Sequence, residues 1–235
     1  MKVVLINPYE LGRQPFGLAQ PAAWLQRESF DVHCIDLAVE RLDAERLAGA
    51  ELVAVHLPMH TATRIALEAL PRLTQLAPAA HLCAYGLYAP PNAALLAECG
   101  FATILGGECE PALVEIATEL REGKQPPVPG TDRGPRIALS KIDFLPPKRS
   151  GLPSLNNYAS LILADGTEKR IGFTEGSRGC KHLCRHCPVV PIYQGRFRVV
   201  PVSVVLEDVR SQVAAGAEHI SFGDPDFLTF KLWII

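Results

Sequence analysis

No cysteine follows Cys187, no acidic residue stands between Glu175 and Glu207, and no long apolar run opens this chain of 235 residues. Each absence excludes something. The opening MKVVLINPYE has four consecutive apolar residues before Asn7 and Pro8, too few for a signal-peptide core or a membrane span. With no such leader and an odd count of seven cysteines, the chain has little reason to build a disulfide framework. It reads as a cytoplasmic protein with reduced thiols. Strong charge of either sign is lacking as well: the formal net charge of -2 argues against a general nucleic-acid binder. The loop after the first apolar run, NPYELGRQPFG, lacks Gly-x-Gly-x-x-Gly, which disfavours a nicotinamide dinucleotide. What remains, with 48% hydrophobic and 20% charged residues, is a globular chain of one large domain or a domain and a half.

Along residues 1–121 a short β-branched run, a turn and an apolar stripe of helical period repeat five times. KVVLI (2–6), VHCI (32–35), LVAVH (52–56), HLCAY (81–85) and ATIL (102–105) are apolar on both faces, as strands of a parallel sheet covered by helices are. Pro111 stands at a first helical position, and Leu113, Ile116, Ala117 and Leu120 make one stripe behind it. The pattern predicts an α/β fold with a doubly wound parallel sheet of flavodoxin-like strand order, whose ligands sit at the carboxyl ends of the strands. Residues 122–160 are rich in proline and read as an ordered linker. Residues 161–235 form a second module. LILADGTEKRIGFT turns as a hairpin at Asp165-Gly166, a cysteine loop follows, and Ser203 is placed to cap a helix with Val205, Val209 and Val213 on one face. Gly216 ends that helix, and HISF (219–222) completes a right-handed βαβ unit, the building block of a parallel barrel.

The cysteine loop SRGCKHLCRHCPVV carries the chemistry. Cys180, Cys184 and Cys187 have the spacing Cys-x3-Cys-x2-Cys, and Cys34, Cys83, Cys99 and Cys109 all lie upstream, read as small apolar residues of the sheet. Three thiolates leave one corner of a metal centre open to a small molecule. Here the sequence resembles the radical S-adenosylmethionine enzymes, whose loop of this spacing follows the first barrel strand. The resemblance implies a four-iron, four-sulfur cluster on Cys180, Cys184 and Cys187, with S-adenosylmethionine chelated at the open iron and cleaved reductively to a 5′-deoxyadenosyl radical. It further implies that Gly223 and Asp224 of FGDPDF contact the methionine amino group and that His186 stacks near the adenine. An electron donor such as flavodoxin or ferredoxin is implied too. No catalytic residue is assigned beyond the cluster.

Upstream, AYGLYA (84–89), ILGGECEP (104–111) and KIDFLPP resemble the subgroup with an N-terminal cobalamin-binding domain. That likeness implies a cobalamin floor at Asn7, Leu57, Gly86, Tyr88, Gly107 and Glu108. More narrowly, GCKHLCRHCPVVPIYQGRFR with FGDPDF is similar to the radical enzymes named for a CUAEP or CCAEP tail, whose substrate we do not name. The chain departs from the cobalamin pattern in having no Asp-x-His-x-x-Gly after the first strand; Asp31 and His33 are correctly spaced but lie on the second. Two other readings compete. A zinc site completed by His182 or His186 would make the protein a non-catalytic metal binder. The basic residues Arg178, Lys181, Arg185, Arg196 and Arg198 would suit an RNA-modifying relative. Finally, the 48 residues after Cys187 are far fewer than a barrel of about six βα units needs, and the terminal TFKLWII has neither helical period nor cap. The expectation is a truncated or split enzyme with an exposed apolar edge, met by a partner chain that completes the barrel.

Overall fold

The computed structural model describes residues 1–124 and 134–227. Pro126, Pro127 and Pro129 of the linker and the terminal run 229–235 lie outside the described residues. In the first region the strands β1 (Lys2–Asn7), β2 (Asp31–Asp36), β3 (Leu52–His56), β4 (His81–Tyr85) and β5 (Thr103–Gly107) alternate with the helices α1 (Phe16–Arg27), α2 (Ala44–Leu47), α3 (His60–Leu76), α4 (Ala93–Glu98) and α5 (Glu110–Arg121). Alternation of apolar side chains explains the layers. Val4 and Ile6 of β1 pack with Leu70 and Leu73 of α3, whereas Val3 and Leu5 pack on the opposite face with Leu18 of α1 and Leu113 of α5. Both faces are therefore closed, and all four of these β1 side chains are at most 1% exposed.

The sheet has the order β2-β1-β3-β4-β5-β6, with every neighbouring pair parallel. This is the flavodoxin-like order with one strand added. The sixth strand, β6 (Arg136–Ala138), comes from the segment read as linker and pairs with Leu105, Gly106 and Gly107. Its sequence RIA carries no strand signal longer than three residues, and the glycine-rich end of β5 supplies the close approach: a Cβ on Gly107 would lie 2.1 Å from the Ala138 carbonyl oxygen. The order in which successive strands are added reverses between β1 and β3, and ligands of open α/β sheets bind beyond the carboxyl ends of the strands at such a point.

The second region begins with an antiparallel hairpin of β7 (Ser160–Ile162) and β8 (Glu168–Thr174), turning at Asp165-Gly166 as expected. Two short antiparallel strands, β9 (Ser177–Gly179) and β10 (Phe197–Val199), then bracket the cysteine loop and the short helix α6 (Val189–Tyr193). Helix α7 (Val202–Ala214) leads to β11 (His219–Phe222), which pairs parallel with β8. The expected βαβ unit is present, but its helix differs in detail. α7 starts directly after Pro201, whose fixed backbone makes the entry, and no side chain caps it, so Ser203 lies inside the first turn. Its buried face is Val205, Asp208 and Gln212, while Val213 is 55% exposed. Polar side chains displace the valine stripe because Arg149 reaches in from the preceding segment, donating to both Asp208 carboxylate oxygens at 2.7 and 3.0 Å. Gly216 ends the helix with a positive φ of 99°.

Candidate functional site

Where the carboxyl ends of β1, β3, β4 and β5 face the ends of β8 and β11, a cavity of about 280 Å³ opens. The first layer contributes Glu10, Gly17, His56, Tyr85 and Gly86 to its wall, and the second contributes Phe173, Glu175, Arg178, Tyr193 and Gly223. Parallel pairing of β8 with β11 is what brings Gly223 to the same end as the cysteine loop. Gly223 donates its N–H to the Thr174 carbonyl at 2.9 Å, and a Cβ there would strike the Phe173 ring at 1.9 Å. Glycine is required for that contact.

The three thiols lie on irregular backbone between β9 and α6, with Cys184 exposed and Cys180 and Cys187 partly buried. Gly179 fixes the loop's departure: it has a φ of 74°, and a Cβ would lie 2.2 Å from the Arg196 carbonyl oxygen. The Cys187 N–H donates to the Cys184 carbonyl at 3.2 Å, which places these two on one turn. The Cys180 thiol is held above its ordinary value, first by desolvation and then by Asp226 and Cys187 nearby. Cys180 Sγ, His182 and Asp226 gather within 4.8 Å of one another. The three cysteine sulfurs do not gather that closely, so a single tetrahedral ion on all three, with bonds of about 2.3 Å, is not the arrangement the loop presents. Three free thiols spread along one loop suit a polynuclear cluster, and in that sense the residues fit.

Other expected residues are placed less directly. Asp224 turns away from the cavity: its carboxylate accepts from the Gly176 N–H at 3.0 Å and from the Ser177 hydroxyl, so this turn offers backbone rather than a free carboxylate. His186 is exposed and lies outside the cavity wall. Of the six floor positions, Gly86 and Gly107 line the cavity. Asn7 is fully buried, donating to Asp36 at 2.9 Å; Leu57 is fully buried; Tyr88 binds the Leu57 carbonyl through its N–H; and Glu108 pairs with Arg178 at 2.7 Å. The room freed by the glycines is filled by protein, Gly106 by Pro90 and Gly107 by Ala138. A cavity of this size suits a small molecule. Cys34, Cys83 and Cys109 are buried as expected, but Cys99 is exposed at the end of α4, where the helix needs no apolar cover.

Sequence reasoning missed the charged seam. Arg178 donates to Glu108 and to both oxygens of Glu110, linking β9 to the end of β5 with its side chain 10% exposed. Arg198 donates to the Leu139 carbonyl at 2.6 Å, and Lys181 lies over the Phe197 ring. Much of the local positive field is thus consumed internally. His56 was missed as well. Asn7 Nδ2 is committed to Asp36, so Asn7 Oδ1 faces His56 Nδ1 at 3.4 Å and selects the Nδ1–H tautomer. Burial, helped by Arg178, pushes this imidazole down to about 3, so it is neutral. Burial pushes Glu10 up to about 8 and Glu175 up to about 7.

Fold and site together define a two-layer α/β protein with a three-thiol loop at the seam. No family model matches the chain. Over 80 residues, 34% of this chain and 18% of the relative, it is 31% identical to the ribosomal protein uS12 methylthiotransferase RimO of Geobacter sulfurreducens. Among solved structures, the radical S-adenosylmethionine methyltransferase TsrM from Kitasatospora setae, with tryptophan substrate and a SAM analog bound, matches 97% of this chain with a TM-score of 0.69 at 22% identity. The same enzyme with cobalamin and a [4Fe-4S] cluster bound matches equally well, at 21% identity. The chain spans about half of that enzyme's length, 48%. At this identity the likeness is one of fold, and it extends over both layers. No helix among the described residues is long and apolar enough to cross a membrane.

Proposed function

We infer that the protein is an iron–sulfur protein of the radical S-adenosylmethionine superfamily, with Cys180, Cys184 and Cys187 holding a four-iron cluster. The observation that carries this reading is the placement of the three-thiol loop and the Gly223 turn at the carboxyl ends of the adjacent parallel strands β8 and β11. When bound, the cluster and S-adenosylmethionine supply reductive cleavage to a 5′-deoxyadenosyl radical. The chain's own residues do the rest. Arg178, pinned by Glu108 and Glu110, fixes β9 and hence the start of the loop. Phe173 and Tyr193 give the cavity apolar walls that exclude water, and Glu175 holds a proton at its carboxyl near neutral pH. An electron donor of the flavodoxin or ferredoxin type belongs to this reading, as does a partner segment completing the barrel. The run GCKHLCRHCPVVPIYQGRFR supports the CUAEP or CCAEP-tail group within the superfamily.

Anaerobic reconstitution tests it. Iron and sulfide in equal amounts with visible charge-transfer absorption, and 5′-deoxyadenosine released on reduction, are the expected result; stoichiometric zinc without sulfide would overturn it. Cobalamin belongs to this reading as a second cofactor at the strand ends where Gly86 and Gly107 line the cavity. Hydroxocobalamin retained by the full chain through gel filtration is the expected result, and no retention would remove it from the proposed chemistry.

A further inference from the structure

We propose that the cavity between the two strand layers binds a primary ammonium group of a small organic substrate, received by Glu10, Gln20 and Glu175. Three acceptor side chains face this space, two of them with a buried oxygen that has no donor. Glu10 is 8% exposed, and its Oε2 has no hydrogen-bond partner; His56 Nδ1, at 3.7 Å, is too distant, and its hydrogen is directed to Asn7. Gln20 is 1% exposed and spends its Nε2 on the Leu145 carbonyl at 3.0 Å, leaving Oε1 unpartnered. Glu175 is partly exposed on the same wall, with Arg178 as its main opposing charge. All three line the same cavity.

Buried acceptors without donors are costly, so Glu10 Oε2 and Gln20 Oε1 imply something that supplies N–H groups. The cations nearest the carboxyls are held by other partners: Arg178, the main opposing charge of Glu175, is shared between Glu108 and Glu110, and Arg149, which with Arg13 opposes Glu10, is paired with Asp208. Arg13 itself lies over the Phe173 ring, 4.5 Å from its centroid, so this wall already seats one cation on an aromatic face. A hard metal ion would want a shell of oxygens, whereas Phe16, Phe173 and Tyr85 suit an organic cation. That the ammonium belongs to a substrate rests on the radical-enzyme reading; its binding does not.

The test uses the full chain without reductant and four probes that share one ring: benzylammonium, benzyltrimethylammonium, benzyl alcohol and benzoate. Calorimetry should show saturable benzylammonium binding at least tenfold tighter than the alcohol and the quaternary ion, with no benzoate binding. Glu10→Gln and Glu175→Gln should each remove most of that preference while keeping or raising the melting temperature. Equal affinities across the four probes, or a preference surviving in both variants, would overturn the proposal. Displacement of benzylammonium by S-adenosylmethionine would assign the ammonium to the cofactor and overturn the substrate assignment. Failure to assemble a cluster would sink the radical reading and leave this binding intact, so the two can fail separately.

Discussion

The sheet layer and the cysteine-bearing layer are held by different forces. In the first, β1 alone buries Val3, Val4, Leu5 and Ile6 completely or nearly so, between helices on both faces. In the second, fewer apolar side chains are buried, among them Phe173, Val189, Ile192, Val200 and Val205, and polar side chains supply much of the cohesion. Arg149 ties Asp208, Gln14 and the Phe173 carbonyl together, and Gln212 accepts from the Phe173 N–H at 2.8 Å while donating to Asp208 at 3.0 Å. Burial of apolar area is non-directional and tolerates motion, whereas a satisfied polar network holds one geometry. The apolar layer presents strand ends as a floor, and the geometrically specified layer aims the loop and the Gly223 turn at it.

The largest effect that can break this comparison is at the thiols. Cys184→Ala should abolish the charge-transfer absorption of the reconstituted protein, because each thiolate supplies one ligand. Cys83→Ala, in the closed core of β4, should leave the absorption in place and show only as a lower melting temperature. Equal loss of colour in both variants would end the assignment of function to the second layer.

Next comes the polar anchor. Arg149→Met leaves the wholly buried Asp208 without its charge partner and should cost about 3–5 kcal/mol in urea unfolding. Leu5→Ala in the sheet should cost about 2–5 kcal/mol through a cavity. The two losses differ in how they are repaired. Adding Asp208→Leu to Arg149→Met removes the stranded charge and should recover much of the stability, since a buried ion pair is often replaceable by apolar packing. If the double variant is no better than the single, the network holds the layer by something other than charge satisfaction.

A smaller loss is expected at the floor. A Cβ on Gly17 would lie 2.0 Å from His56 Cε1, so Gly17→Ala must displace the imidazole. Overpacking of about 1–3 kcal/mol competes with a gain of about 1 kcal/mol in helix propensity, for a modest net loss. Gly134→Ala meets nothing within 4 Å and should be neutral. Unchanged melting of the Gly17 variant would mean the ring is free to move, and the floor is softer than the sheet beneath it.

The sheet order, the hairpin at Asp165-Gly166 and the βαβ unit were legible in the sequence because each rests on local pattern: apolar runs, a turn dipeptide, a terminating glycine. The cysteine loop was legible by spacing. What escaped depends on long-range pairing. β6 is three residues long and exists because Gly107 admits Ala138 against β5. The buried roles of Asp208 and Gln212 depend on Arg149, 59 residues away from Asp208 in sequence. Glu10, His56 and Glu175 carry no motif; the hint was only that charged residues follow strand ends, where α/β sheets bind ligands. Asp224 was read for its type, and its orientation is decided by Gly176 and Ser177.

The smallest expected effect, the pH dependence of stability, belongs to the seam between the layers. Glu10 is raised from 4.5 to about 8 and Glu175 from 4.5 to about 7, so between these limits the folded protein binds more protons than the unfolded chain. Their contribution is therefore fully present below about 4.5 and is lost as pH rises toward 7 and 8. His56 acts oppositely. Lowered from 6.5 to about 3, it binds fewer protons when folded, so its contribution is present above 6.5 and lost as pH falls toward 3. Asp36 and Glu108, both raised chiefly by burial, act in the same sense as Glu10. Between about 4.5 and 6.5 the His56 gain offsets only part of the loss from the two glutamates, so the stability maximum lies near 4.5 and the fall above it is shallow up to about 6.5 and steeper beyond. Urea titrations across pH 4–9 should show that two-stage fall, and Glu10→Gln should flatten the alkaline limb while Leu5→Ala shifts the whole curve down without changing its shape. A limb that persists in both Glu10→Gln and Glu175→Gln would place the titrating groups inside one layer, and the division between an apolar layer, a polar layer and an ionisable seam would have to be redrawn.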